Sequence, residues 1–475
     1  MRFPKTLLAA LASLFAAGVV QAAGFASCDD SYTSPALKGS RCSTETVPLV
    51  WRETPASGAG VIKLFVREFP ASGKSKGTVW LVAGGPGESG ASLYPMIDVL
   101  RHSFPGYDLR VPDHRGTGFS TRLCAQEEAP DSAAGTGLDR AEFGTCFGRL
   151  IGDPATAKGY TITESAHDLR YLIKNSDRTR PIYVYGVSYG TQLILRTLQL
   201  GKLPVTGIVL DSLVPLQTAA KWELTRRSHV VDDIGRQVLA RCDREPQCRR
   251  AMGEGAETAY RRLLSQVRER PELLDGIPGR DLKRFLGNLL DVPAARDQIP
   301  YLIKELEAGR TERLKGVLVE MEKAAASLGA FAQSPISIPL VSIISTSENA
   351  LRQDLTSEEL DREDGQLLFT SGLPRHLLKP ALPLYPRDRY FGKLPAQTPP
   401  LLVFSGTLDP KTHYDGAVEH VAALKKSGRT GLVSVTGAPH FILWTAPQCF
   451  ARHTRAFVER RVLYDQRCAM APKAL

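Results

Sequence analysis

The chain has 475 residues, 43% of them apolar and 23% charged, a composition that excludes disorder, collagen-like repeats and a coiled coil as its main state. Its formal charge of +10 comes from 60 basic and 50 acidic residues mixed along the chain, which argues against a nucleic-acid-binding patch or arm. The length suits one large α/β unit with an insertion, or several ordinary domains.

Chain order begins with an address. Arg2 and Lys5 precede an apolar run over 6–20, and Ala22 and Ala23 offer small residues at a cleavage point. This pattern predicts a secretory signal peptide over 1–23 and an exported protein, periplasmic or secreted. The run is short for a membrane span and no later stretch reaches span length, so no stable membrane insertion is expected. The eight cysteines all follow the cleavage point and fall into neighbouring couples: Cys28 and Cys42, Cys124 and Cys146, Cys242 and Cys248, Cys449 and Cys468. Closing short loops costs least entropy, so neighbour pairing is favoured among the many pairings the count allows. Disulfides imply an oxidising compartment. No C-x-x-C with a partner pair is present, and no metal site is expected.

Residues 47–52 and 60–69 read as two strands joined by a turn at 54–58. A buried strand at 78–83 runs into Gly84-Gly85-Pro86-Gly87, and a helix is predicted over 93–102. A strand over 107–112 leads into a tight turn at 113–120, and 124–160 reads as an excursion stapled by Cys124 and Cys146. The spacing then predicts a helix over 163–175, a strand over 181–185, a helix over 191–200 and a strand over 205–211. From 215 to 397 the pattern is helical, as at 222–241, 257–268 and 302–324, with no strand. Alternation resumes with a strand at 400–405, a helix at 414–426, a strand at 432–436 and a helix at 446–463. The expected architecture is a mostly parallel, doubly wound α/β sheet built from 24–214 and 398–475, with a helical cap inserted over 215–397.

Gly186-Val187-Ser188-Tyr189-Gly190 matches G-x-S-x-G between a buried strand and a helix, the setting of a nucleophile elbow. A serine hydroxyl needs a base, and on this scaffold the acid and then the histidine follow the nucleophile in sequence. Asp409, just after the strand at 400–405, is the expected acid, with Asp211 and Asp415 as alternatives. His440, after the strand at 432–436, is the expected base, ahead of His413 and His453. An oxyanion hole takes two backbone N–H groups, one from Tyr189 and one from the glycine loop, at Gly85 or else Gly84. The same loop, Gly85-Pro86-Gly87-Glu88-Ser89-Gly90, also fits G-x-G-x-x-G, with Asp113 placed where a ribose-binding acid could lie. Proline inside the fingerprint and export of the chain argue against a dinucleotide, and no cofactor is expected.

These motifs, with the turn Asp113-His114-Arg115-Gly116-Thr117-Gly118-Phe119-Ser120, resemble the secreted tripeptidyl and prolyl aminopeptidases of the α/β-hydrolase fold, from about residue 47 to 457. The resemblance implies a serine peptidase that releases short units from peptide N-termini, and gives Asp113 and Arg115 a bracing role. The sequence departs from it in three places: Ala83 stands before the glycine loop, Thr191 follows the elbow, and Ala438-Pro439 precedes the histidine. A carboxylesterase of the same fold and a catalytically silent binding protein are the alternatives. The expected partner is a peptide with a free N-terminus. Its ammonium needs a carboxylate, for which Glu348 and Glu223 in the cap are the candidates. No feature specifies an oligomeric state.

Overall fold

The structure, a computed structural model, describes residues 24–30, 34–52, 60–129, 131–135, 137–378 and 384–470. The expected signal peptide over 1–23 and the turn at 54–58 lie outside the described residues.

One ten-stranded sheet organises the chain. Its strands are β1 (Ala26–Ser27), β2 (Arg41–Pro48), β3 (Val61–Phe69), β4 (Thr78–Val82), β5 (Asp108–Pro112), β6 (Ile182–Val187), β7 (Gly207–Asp211), β8 (Leu401–Gly406), β9 (Thr430–Thr436) and β10 (Gln466–Ala469). They lie in the order β1-β2-β3-β5-β4-β6-β7-β8-β9-β10. The pairs from β1 to β5 are antiparallel, and every pair from β5 across to β10 is parallel. β4, β6, β7 and β8 are buried at every position, as parallel strands covered on both faces must be. Alternate side chains feed opposite layers: Trp80 and Val82 of β4 join one apolar cluster, Val79 and Leu81 the other. Helices Ile162–Lys174, Tyr189–Gln199 and Tyr414–Leu424 cover the first face; Ile97–Ser103 and Pro447–Arg460 cover the second. β6 sits between β4 and β7, so its carboxyl end opens at the middle of the sheet.

Between β7 and β8 the described residues hold helices and no strand. Most of these helices share their own apolar cluster, which includes Ile234, Leu263, Leu286 and Leu302. Several links tie this part to the sheet, among them the following. Arg296, fully buried, donates through Nη1 to the Gly437 carbonyl at 2.8 Å. The helix Ile338–Ile344 turns Leu340, Ile343 and Ile344 into the sheet's cluster, while Ser337 N–H donates to the Gly87 carbonyl at 2.9 Å.

Several boundaries differ from those expected. β2 begins at Arg41 rather than near 47, and its inward positions include Ser43 and Glu45, which hydrogen-bond each other at 3.0 Å. The helix expected over 222–241 begins at Arg227, because the Glu223 side chain caps a 3₁₀ turn ahead of it. The helix expected over 302–324 is two, Ile299–Glu307 and Glu312–Leu328, separated at Gly309 with φ of +71°. β10 was not expected at all; Cys468 within it bonds to Cys449. Four disulfides join Cys28–Cys42, Cys124–Cys146, Cys242–Cys248 and Cys449–Cys468. No described helix is long and apolar enough to cross a membrane.

Candidate active site

Ser188 leaves the carboxyl end of β6 at φ +55° and ψ −124°, a left-handed conformation rare outside glycine, and caps the helix Tyr189–Gln199. The surrounding glycines are dictated by packing. A Cβ at 186 would lie 2.4 Å from Ile194 Cδ1, and one at 190 would lie 2.6 Å from the Ala83 carbonyl oxygen. Strain at Ser188 is thus held by a turn with no room to relax, which is where functional strain persists.

The loop after β4 runs directly against this turn. A Cβ at Gly84 would sit 3.2 Å from Ser188 Cβ, and Gly85 adopts φ +107°, open only to glycine. Tyr189 is the first residue of the helix that follows Ser188. The loop is braced from behind by the 113–120 turn. Asp113 accepts from Gly90 N–H at 2.7 Å, Phe119 N–H at 2.8 Å and Gln333 Nε2 at 2.9 Å, and His114 Nε2 donates to the Pro86 carbonyl at 2.6 Å. Arg115 is buried against Asp168, with contacts of 2.6 Å from both Nε and Nη2. These partners engage both oxygens of Asp113 in bracing the loop.

His440 lies in the loop after β9, and its Nδ1 is 2.8 Å from Asp409 Oδ2. Asp409 is fully buried and follows β8. Burial works against its charge, but His440 and the bonds from Thr412 outweigh that and hold its carboxyl below the usual range. Lys411 N–H and Thr412 N–H each donate to Oδ1 at 2.8 Å, and the Thr412 hydroxyl donates to Oδ2 at 2.8 Å. An ionised Asp409 accepts Nδ1–H and leaves Nε2 of His440 as the basic nitrogen. Thr412, 3.3 Å from His440, lines the same cavity as Ser188, which also meets Gly85, Tyr189, Trp222 and Glu223. Among the described residues, Ser188 Oγ makes no hydrogen bond, a common state of such hydroxyls without substrate.

The alternative residues have other partners. His413 stacks on Trp222, with ring centroids 4.1 Å apart, and bonds to Asp233 at 2.7 Å. His453 bonds to Gln466 at 3.0 Å. Asp415 lies in the first turn of the helix Tyr414–Leu424. Asp211, an alternative for the acid in the sequence, has a role there that sequence reasoning missed. Fully buried, it accepts from Ile442 N–H and Leu443 N–H at 2.9 Å each, from Tyr185 OH at 3.0 Å and from Ser212 Oγ at 3.1 Å. It clamps the backbone that carries His440. Its own burial raises its carboxyl above the usual range, with those backbone donors pulling the other way.

The two cap acids part company. Glu348 is buried and held by Arg196 Nη2 at 3.1 Å and Gln217 Nε2 at 2.8 Å, and it is not among the residues that line the cavity. Glu223 lines it. Its carboxylate accepts from Thr225 N–H at 2.9 Å, Leu351 N–H at 3.0 Å and the Thr225 hydroxyl, and Arg352 Nε stands 3.5 Å away.

Comparison with known proteins gives two family matches: an α/β hydrolase fold over residues 77–243, and a TAP-like protein over 380–465. No curated protein matches the sequence. Solved structures similar to it include a proline iminopeptidase from Mycobacterium smegmatis, at 14% identity and TM-score 0.40, covering 88% of this chain and 98% of that one. A thermophilic esterase from Thermogutta terrifontis matches at 15% identity and TM-score 0.38, covering 88% and 98%. A laboratory-evolved variant of potato epoxide hydrolase matches at 15% and 0.36, covering 84% and 96%.

Proposed function

The chain belongs to the α/β hydrolases, with a TAP-like C-terminal part, and on that premise we propose that it is an exported serine aminopeptidase. The observation that carries this reading is a strained Ser188 at the end of β6, lining a cavity with Thr412, which hydrogen-bonds to both members of the buried Asp409–His440 couple. Ser188 Oγ attacks the peptide carbonyl while His440 Nε2 takes its proton. Backbone N–H groups of Gly85 and Tyr189 stabilise the oxyanion. The C–N bond breaks as His440 returns the proton to the leaving amine, and water then releases the acyl group by the same path. Asp409 orients His440 and stabilises its charged form. The core is formed by 24–214 and 398–475, with 215–397 as the cap over the site.

An exopeptidase must recognise the substrate ammonium. Glu223 is the better placed of the two acids, because it lines the cavity and Glu348 does not. Four disulfides support export to an oxidising compartment. The test compares free and N-acetylated forms of the same peptides. The free form is expected to be cleaved faster, and Glu223→Gln to cost it about 2–5 kcal/mol in kcat/KM while simple ester hydrolysis survives. Equal rates on both forms would make the protein an esterase or endopeptidase.

A further inference from the structure

We propose that Arg227 is the subsite for a carboxylate group of the substrate. Arg227 lines the cavity together with Ser188 and Gly85. Among the described residues its guanidinium makes no hydrogen bond, ion pair or ring contact. Its neighbours are all engaged. Arg226 pairs with Glu363 at 3.6 Å, Arg352 with Glu363 and Glu223, and Lys411 Nζ with Asp291 Oδ2 at 3.1 Å. Asp291 and Asp409 lie near enough to favour the charged form of Arg227, but neither accepts a hydrogen bond from it. Burial of the group acts in the opposite direction and is the larger effect.

A half-buried cation without a partner is costly, and a planar guanidinium is suited to a carboxylate that it can grip with two parallel bonds. Glu223, on the same cavity wall, has its carboxylate held by Thr225 and Leu351, so it does not neutralise Arg227. Among the described residues the cavity lining thus offers one acid, Glu223, and one cation without a partner, Arg227, beside the nucleophile, a pattern complementary to a zwitterionic peptide. The carboxylate comes either from an acidic side chain or from the C-terminus of a short peptide.

The test reads binding rather than turnover, so it uses Ser188→Ala protein. It rests on the aminopeptidase reading only for its choice of probes. Two matched sets of free-amine peptides are titrated: Glu against Gln at each of the first three positions, and a C-terminal acid against its amide. The carboxylate member of one set is expected to bind about 10- to 100-fold tighter, as a charge-assisted pair would give. Adding Arg227→Gln removes that preference and leaves affinity for the neutral member unchanged; Arg227→Lys retains part of it. The set that shows the preference identifies the source of the carboxylate. Equal affinities within both sets, no affinity for any carboxylate member, or a preference that survives Arg227→Gln would each overturn the proposal. The aminopeptidase reading fails separately, on turnover of free against acetylated peptides by the unmodified protein.

Discussion

Replacing Asp211 by Asn tests whether the loop that carries His440 is held by this carboxylate. Asp211 accepts four hydrogen bonds, two on each oxygen. An asparagine of the same shape keeps one acceptor oxygen and turns an NH₂ toward the donors of the other. The hydroxyl on that side can turn to accept from the NH₂, but the backbone N–H beside it loses its acceptor, at about 1–3 kcal/mol. The raised carboxyl of Asp211 shows that burying its charge is itself costly, and the neutral amide recovers part of that. The net loss is therefore placed near the low end, about 1–2 kcal/mol, against a typical stability of about 5–15 kcal/mol. Because Ile442 and Leu443 follow His440 closely, loosening them displaces the imidazole, and a shift of about 1 Å costs on the order of 100-fold in turnover. Urea unfolding at neutral pH and ester hydrolysis measure the two effects. An Asp211→Asn protein with the unfolding midpoint and kcat of the unmodified chain would refute the clamp.

Asp409→Asn is expected to lower kcat roughly 10³- to 10⁴-fold with little change in KM, because an amide favours the wrong histidine tautomer; a loss under tenfold would return Asp211 or Asp415 to consideration as the acid. Acid stability follows from His114 and His420, which burial lowers to about 4 although each donates to a backbone carbonyl. Both stay neutral in the folded chain while the unfolded chain takes up protons below about pH 6.5, so stability falls between pH 6.5 and 4, by about 3 kcal/mol for each site. Denaturant midpoints measured from pH 7 to 4 check this, and a flat profile would contradict it.

The parts of the site that were legible in the sequence share a physical cause. Ser188 sits where steric demand leaves few choices: a fully buried strand, then glycines whose Cβ atoms would strike Ile194 and Ala83. His440 and Asp409 could be singled out because each follows an apolar strand of the parallel part of the sheet. β2 began earlier than expected because its inward face carries Ser43 and Glu45, which hydrogen-bond each other and leave no apolar alternation to read. β10 is four residues, Gln466-Arg467-Cys468-Ala469, too short for a periodic pattern, and pairing with β9 and a disulfide hold it in place. The roles of Glu348 and Asp211 depend on partners remote in sequence, Arg196 for the first and Ile442 and Leu443 for the second, so no local pattern announces them. Arg227 is distinguished by what it lacks, which becomes visible only when its neighbours' partners are known.

The central claim is that Ser188 is an activated nucleophile, and a fluorophosphonate probe tests it most directly. The account predicts stoichiometric labelling of the folded protein at pH 7, mapped by mass spectrometry to the peptide containing Ser188, abolished in Ser188→Ala and strongly slowed in His440→Ala. An unmodified protein that resists the probe, or a Ser188→Ala protein that still labels and turns over substrate at the original rate, would contradict it.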